Sequence, residues 1–165
     1  MAKSDSFFIR ASVATNTTTY AQQSVDLGAY VDALGKTVLR VHNISVQYGN
    51  PLDPPAVSAN STNLIAMQLT TQSQTAMVNA DDRSVIAGGK LMIGGDAGGV
   101  VNIVSETLDV APQQWTNGYL VGVEQIYLAT DATANVGLDS VNIVLECTVE
   151  TLNQSAAMAL ALSQQ

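Results

Sequence analysis

Ser140-Val141-Asn142-Ile143-Val144-Leu145-Glu146-Cys147-Thr148-Val149-Glu150-Thr151 alternates along its whole length. Val141, Ile143, Leu145, Cys147 and Val149 fall on one side, and Asn142, Val144, Glu146, Thr148 and Glu150 on the other. A period of two is that of a strand with one buried face. A second strand-like run, 119–130, precedes it across the polar, Gly-containing connection 131–139. The pair predicts a β-sheet with a core on one side and carries no reactive constellation.

Working outward from this pair, residues 6–13 place Phe7, Ile9, Ala11 and Val13 on one face, with Phe8 breaking the pattern. The polar, β-branched stretch 15–19 suits an exposed extension. Val25, Leu27, Ala29 and Val31 alternate with Asp26, Gly28, Tyr30 and Asp32 as a second strand, closed by a turn at 33–36. Within 37–48, Leu39 and Val41 share a phase with Asn43, Ser45 and Gln47, while Val38, Arg40, His42, Ile44, Val46 and Tyr48 hold the other. Neither phase is apolar throughout, as expected of a strand covered on both sides or one that switches sheets at a bulge near Asn43. Pro51, Pro54 and Pro55 make 49–61 a crossing loop, because proline lacks the N–H that a central strand needs.

Residues 64–71 resume strand character with Ile65, Met67 and Leu69 on one side, and 72–80 is a short helix or an irregular connection. From 84 to 104, short apolar runs are separated by Gly88-Gly89 and by the run 94–99 with its pairs Gly94-Gly95 and Gly98-Gly99, which read as hairpin turns. Residues 105–117, with Pro112 and Trp115, form a longer loop. The Ala-, Leu- and Gln-rich end, 153–165, predicts a short helix capped by Asn153 or Ser155. The expected fold class is all-β: a single-domain antiparallel β-sandwich over 1–165, a jelly roll before other Greek keys, with a short C-terminal helix. An N-terminal arm (about 1–6) and a helical tail (about 153–165) are expected to reach neighbours, the tail docking alternatively on its own sheet.

Six Lys and Arg against fourteen Asp and Glu leave a net charge of −8, and Lys3, Arg10, Lys36, Arg40, Arg83 and Lys90 are scattered. Direct nucleic-acid binding, which needs clustered cations, is therefore not expected. The first residues lead into a strand without a signal-peptide apolar core, and no run approaches bilayer length, so synthesis in the cytoplasm is expected.

Candidate chemistry is sparse. Gly89-Lys90 is followed by Leu91, and Ser84 stands where a Walker loop requires its first Gly. Asp81, Asp82 and Asp96 offer hard oxygen ligands to calcium but lack the EF-hand spacing, so they read as solvated loop carboxylates. His42 has no second His for zinc and no Ser or Cys pattern for a triad, and reads as a hydrogen-bonded structural residue. Cys147 reads as a small buried hydrophobe. Glu124, Glu146 and Glu150 would converge if the two late strands paired, but a glycoside site usually adds stacked aromatics, and Glu146 and Glu150 more simply decorate the solvent side. No catalytic residue, cofactor, metal or small-molecule substrate is expected.

A weakly charged polar surface is cheaply desolvated between identical copies. With its long strands at 7–13, 37–48, 64–71, 119–130 and 140–151, its proline-containing crossover and its short N-terminal arm, the chain resembles the single jelly-roll capsid proteins of icosahedral viruses, especially those of membrane-containing DNA viruses of archaea and bacteria. The resemblance implies a structural subunit of a virion shell without catalytic residues. Its partners would be copies of itself and other capsid proteins, and the acidic balance suits apposition to an internal membrane rather than to the genome. The alternative is a non-catalytic β-sandwich binding module or a pilin-like filament or adhesion subunit.

Overall fold

Val141, Ile143, Leu145 and Cys147 of β9 (Ser140–Thr151) are at most 1% exposed, the core face that their alternation marks, while Val149 in the same row is half-buried and Thr148 and Glu150 on the other face are buried as well. The structure, a computed structural model, describes residues 3–15, 19–32, 36–104 and 114–165. Among these, β9 lies between β1 (Phe7–Ala14) and β3 (Thr37–Tyr48), and β7 (Gln114–Val121) flanks β3. The second sheet runs β2 (Ala21–Asp26), β8 (Gln125–Ala132), β4 (Thr62–Thr70), β5 (Val85–Gly95) and β6 (Val101–Val104).

All pairings are antiparallel, and four of them nest: β1 with β9, β2 with β8, β3 with β7 and β4 with β5. One long hairpin wound around itself gives this order, which is the jelly roll. Strand β6 extends the second sheet by pairing with the end of β5. Between the sheets, Leu39, Val41, Ile44, Ile65, Leu69, Ile126, Leu128, Ile143 and Leu145 make a common core. Full burial of such a side chain stabilises by roughly 1.5–3 kcal/mol.

The mixed pattern of β3 has a simple cause. Val41 stands opposite Cys147 and Asn43 opposite Glu146, so His42 is an extra residue without a partner in the register. One inserted residue reverses the phase of everything beyond it. Leu39 and Val41 before the bulge, and Ile44, Val46 and Tyr48 after it, pack on the core. The bulge expected near Asn43 is present, but the strand stays in the first sheet on both sides of it.

Other expectations are corrected. Run 119–130 is not one strand: it breaks at 122–124, where the Glu124 carbonyl accepts the Leu27 amide, and its halves β7 and β8 enter opposite sheets. Of the two glycine turns expected, the one within 94–99 is present, since β5 and β6 form an antiparallel hairpin across it, but Gly88-Gly89 does not turn the chain. Gly88, Gly89 and Gly94 pair with Gln68, Met67 and Thr62 inside β5. At Gly95 a Cβ would stand 2.5 Å from the Ser58 carbonyl oxygen, so the residue serves the close passage of the proline loop. The turn follows at Asp96, whose carboxylate accepts the Gly98 and Val100 amides, each at 2.8 Å. The second strand stops at Asp26, which accepts the Gly28 amide at 2.8 Å and starts a turn that still buries Leu27 and Val31. Residues 72–80 are irregular and fold over the second sheet, where the Gln68 side chain both donates to the Val78 carbonyl and accepts its amide. Trp115 and Asn117 belong to β7 rather than to a loop. The rest of that predicted loop, 105–113, lies outside the described residues, as do 16–18 and the turn positions 33–35.

Helix α1 (Gln154–Ser163) starts at the expected cap, where Asn153 Oδ1 accepts the Ala156 amide at 2.8 Å. Ala157, Leu160, Ala161 and Gln164 form its inner stripe. Gln164 locks it down: its side chain accepts the Gly122 amide at 2.8 Å and donates to the Leu120 carbonyl at 2.7 Å, and its own carbonyl accepts the Thr71 hydroxyl at 2.9 Å. The tail therefore docks on its own sandwich.

Candidate functional site: a polar pocket on the first sheet

The bulge in β3 faces a larger irregularity in β7. Tyr119 pairs with Val41 and Gln114 with Asn43, so Trp115, Thr116, Asn117 and Gly118 stand where β3 has only His42. Trp115 turns to the core beside Tyr119, with 5.6 Å between ring centroids, and Thr116 and Asn117 are left exposed. Gly118 has φ +69°, and a Cβ there would lie 2.7 Å from Arg40 Cγ and 2.8 Å from the Val41 oxygen. Only glycine tolerates that conformation and that approach.

This excursion walls a pocket of 370 Å³ lined by Lys3, Arg40, His42, Thr116, Asn117 and Glu150. Arg40 Nε donates to Glu150 Oε1 at 2.8 Å and Nη2 to Oε2 at 2.7 Å, while Nη1 donates to the Asn117 carbonyl. Lys3 Nζ lies 3.6 Å from Glu150 Oε1, on a side chain that is half exposed. His42 Nε2 meets Thr148 Oγ1 at 2.9 Å, and Asn43 Nδ2 donates to Glu146 Oε2 at 2.6 Å. Hydrogen bonds from Arg40, aided by its charge and that of Lys3, hold the Glu150 carboxyl below the usual glutamate range against the opposing effect of burial. The same bonds raise Arg40 further above neutrality. Its one carboxylate is already bonded by Arg40, so the groups that the pocket leaves toward solvent are the Lys3 ammonium and the neutral polar groups of Thr116 and Asn117.

Glu124 is exposed between β7 and β8, and since β8 and β9 lie in different sheets it does not join Glu146 and Glu150. Glu150 is on the outward face of β9 but only 6% exposed, so it is a paired, nearly buried group rather than solvent decoration. Asp81 and Asp82 precede β5 and Asp96 follows it, and the length of that strand keeps them apart. Asp82 accepts the Ser84 hydroxyl at 2.7 Å and its amide at 2.8 Å, which hold its carboxyl low. Among the described residues no three His, Cys, Asp or Glu side chains gather. Cys147 is fully buried, and burial, then the charge of Glu146, push its thiol up to about 12. Sequence reasoning missed Lys3, Arg40, Thr116 and Asn117; the readable traces were the broken phase of β3 around Arg40 and the Asn117-Gly118 dipeptide inside a strand.

Exposed apolar side chains lie on four sides of the sandwich: Phe8 on edge strand β1, Leu52 in the β3–β4 connection, Val100 and Ile103 at β6, and Met158 and Leu162 one helical turn apart on α1. Among the described residues no helix is long and apolar enough to cross a membrane.

No family model and no curated protein matches the chain. Among solved structures, it is similar to VP1 of Trichodysplasia spinulosa-associated polyomavirus in complex with GM1 oligosaccharide, at 8% identity and a TM-score of 0.48 over 88% of this chain and 95% of that one. It is similar also to the VP1 pentamer of Human Polyomavirus 6, at 7% identity and a TM-score of 0.45 over 88% and 95%. A third is Merkel Cell Polyomavirus VP1 in complex with disialyllactose, at 7% identity and a TM-score of 0.44 over 88% and 96%. Such likeness assigns no residue a role, and the jelly roll stands on the strand register of this chain.

Proposed function

We propose that this chain is a self-assembling structural subunit, a jelly-roll capsid protein. The observation that carries the reading is the spread of exposed apolar side chains over edge strand β1, the β3–β4 connection, edge strand β6 and helix α1 of the sandwich. A subunit of a shell must contact neighbours in several directions, whereas a pocket-based binder concentrates such groups at one place. The paired positions, Val100 with Ile103 and Met158 with Leu162, are the strongest contact candidates. In its finer form the proposal makes the shell that of a virion, built with other capsid proteins and apposed to a membrane. The resemblance of the long strands and the net charge of −8 support that form. Purified protein should give concentration-dependent oligomers by light scattering and closed or sheet-like particles by negative-stain microscopy. A monomer at the highest attainable concentration would overturn the assembly reading.

A further inference from the structure

We infer that the pocket formed by Lys3, Arg40, His42, Thr116, Asn117 and Glu150 receives a carboxylate side chain from a second copy of this chain. That the carboxylate comes from a copy rests on the assembly reading; the ligand class rests on the pocket alone.

Lys3 and Arg40 against Glu150 leave this spot with one net positive charge on a chain whose total is −8. Beyond about 10 Å the fields of the many carboxylates dominate and repel a polyanion, but inside the pocket a single carboxylate meets the local charge first. Nucleic acid is thereby disfavoured and one acidic side chain favoured. Donors are in place. Three of the five N–H groups of the Arg40 guanidinium are used by Glu150 and Asn117. The half-exposed Lys3 ammonium has three hydrogens, and Thr116 and Asn117 are exposed on the rim. Because Glu150 already fixes Arg40, little side-chain freedom is lost on binding. The acid is abundant on the same chain: Asp81 and Glu124, for example, are exposed and lie elsewhere on the surface. A contact of unlike patches, repeated, generates a ring where its rotation closes and an open assembly where it does not.

The test has two arms. In the first, acetyl-Glu-Glu-Glu-amide is titrated into labelled protein and the Asn117 and Gly118 amide signals are followed, with acetyl-Gln-Gln-Gln-amide as control. Saturable shifts are expected in the wild type and in Lys3→Arg. Lys3→Glu, at a half-exposed site, should weaken binding about tenfold or more, the scale of one charge-assisted hydrogen bond. No shifts with the acidic peptide, or equal shifts in Lys3→Glu, overturn the carboxylate pocket. In the second arm, self-association is measured by light scattering, and Lys3→Glu should weaken it by a similar factor. Undiminished association of that variant overturns the second copy as the source. A wild type that binds the peptide but never associates overturns the assembly reading and upholds the carboxylate class.

Discussion

Arg40 and Glu150 meet between β3 and β9 through two parallel hydrogen bonds of 2.8 and 2.7 Å, on side chains that are 18% and 8% exposed. The pair lies on the outward face of the first sheet, yet little water reaches it, because the excursion in β7 and Lys3 cover it. A carboxylate held this way is a structural commitment, since losing Arg40 leaves a poorly hydrated charge with only the half-exposed Lys3 ammonium, 3.6 Å away, to offset it.

Arg40→Ala should therefore destabilise by about 2–4 kcal/mol, toward the lower end because the guanidinium keeps some contact with solvent. Arg40→Met with Glu150→Gln should lose less than Arg40→Ala, since no charge is left unpaired. Urea denaturation of the two variants beside the wild type checks both outcomes.

The same pair sets a pH dependence. Glu150 is depressed in the folded state relative to the unfolded chain, so its contribution is complete above the ordinary glutamate value of about 4.3 and is lost as pH falls through the depressed folded value. Denaturation at pH 7 and pH 3 should show a smaller loss on acidification in Glu150→Gln than in the wild type.

His42 separates two phases of β3. Deleting it would force either 37–41 or 43–48 into the wrong face, and folding should fail or lose several kcal/mol, as a one-residue slip moves a whole apolar row to solvent. His42→Ala keeps the count and loses only the contact with Thr148, at a cost of about 1 kcal/mol. Circular dichroism and denaturation midpoints distinguish the two.

Tail and fold are coupled through Gln164. Gln164→Ala strips partners from the Gly122 amide and the Leu120 carbonyl and should cost about 1–3 kcal/mol. Leu162→Asp, at an exposed position, should leave stability unchanged within about 0.5 kcal/mol while weakening association. Thermal melts read the first effect and light scattering the second.

Cys147 should resist labelling. With the thiol fully buried and pushed up to about 12, aromatic disulfide reagents at pH 8 should react at least about a thousandfold more slowly than in denaturant, at a rate that follows opening of the sheet. Rapid native reaction would contradict the inward placement of the residue.

The strands of regular period were legible: β4 buries Ile65, Met67 and Leu69, β9 buries its marked row up to a half-buried Val149, β1 turns its row to the core with Val13 buried and Phe7, Ile9 and Ala11 partly so, and Asn153 caps the helix as its side chain predicts. Reading failed where glycine has two uses. Gly88-Gly89 looks like a turn, but inside β5 the same absent side chain serves a continuous strand. It failed also at 119–130, where apolar alternation carries across the break at 122–124 without marking it. The pocket was least legible, because Lys3, Arg40, Asn117 and Glu150 come from four distant parts of the chain and share no spacing.

Sequence by itself determined the all-β class, the buried face of β9 and the absence of a recognisable reaction motif, since side-chain period and residue chemistry are local properties. Tertiary structure decided the nested strand order, the extra residue at His42 and the cationic pocket above it. Those depend on which strands stand side by side and in what register, and that is fixed only when the two sheets close on a common core.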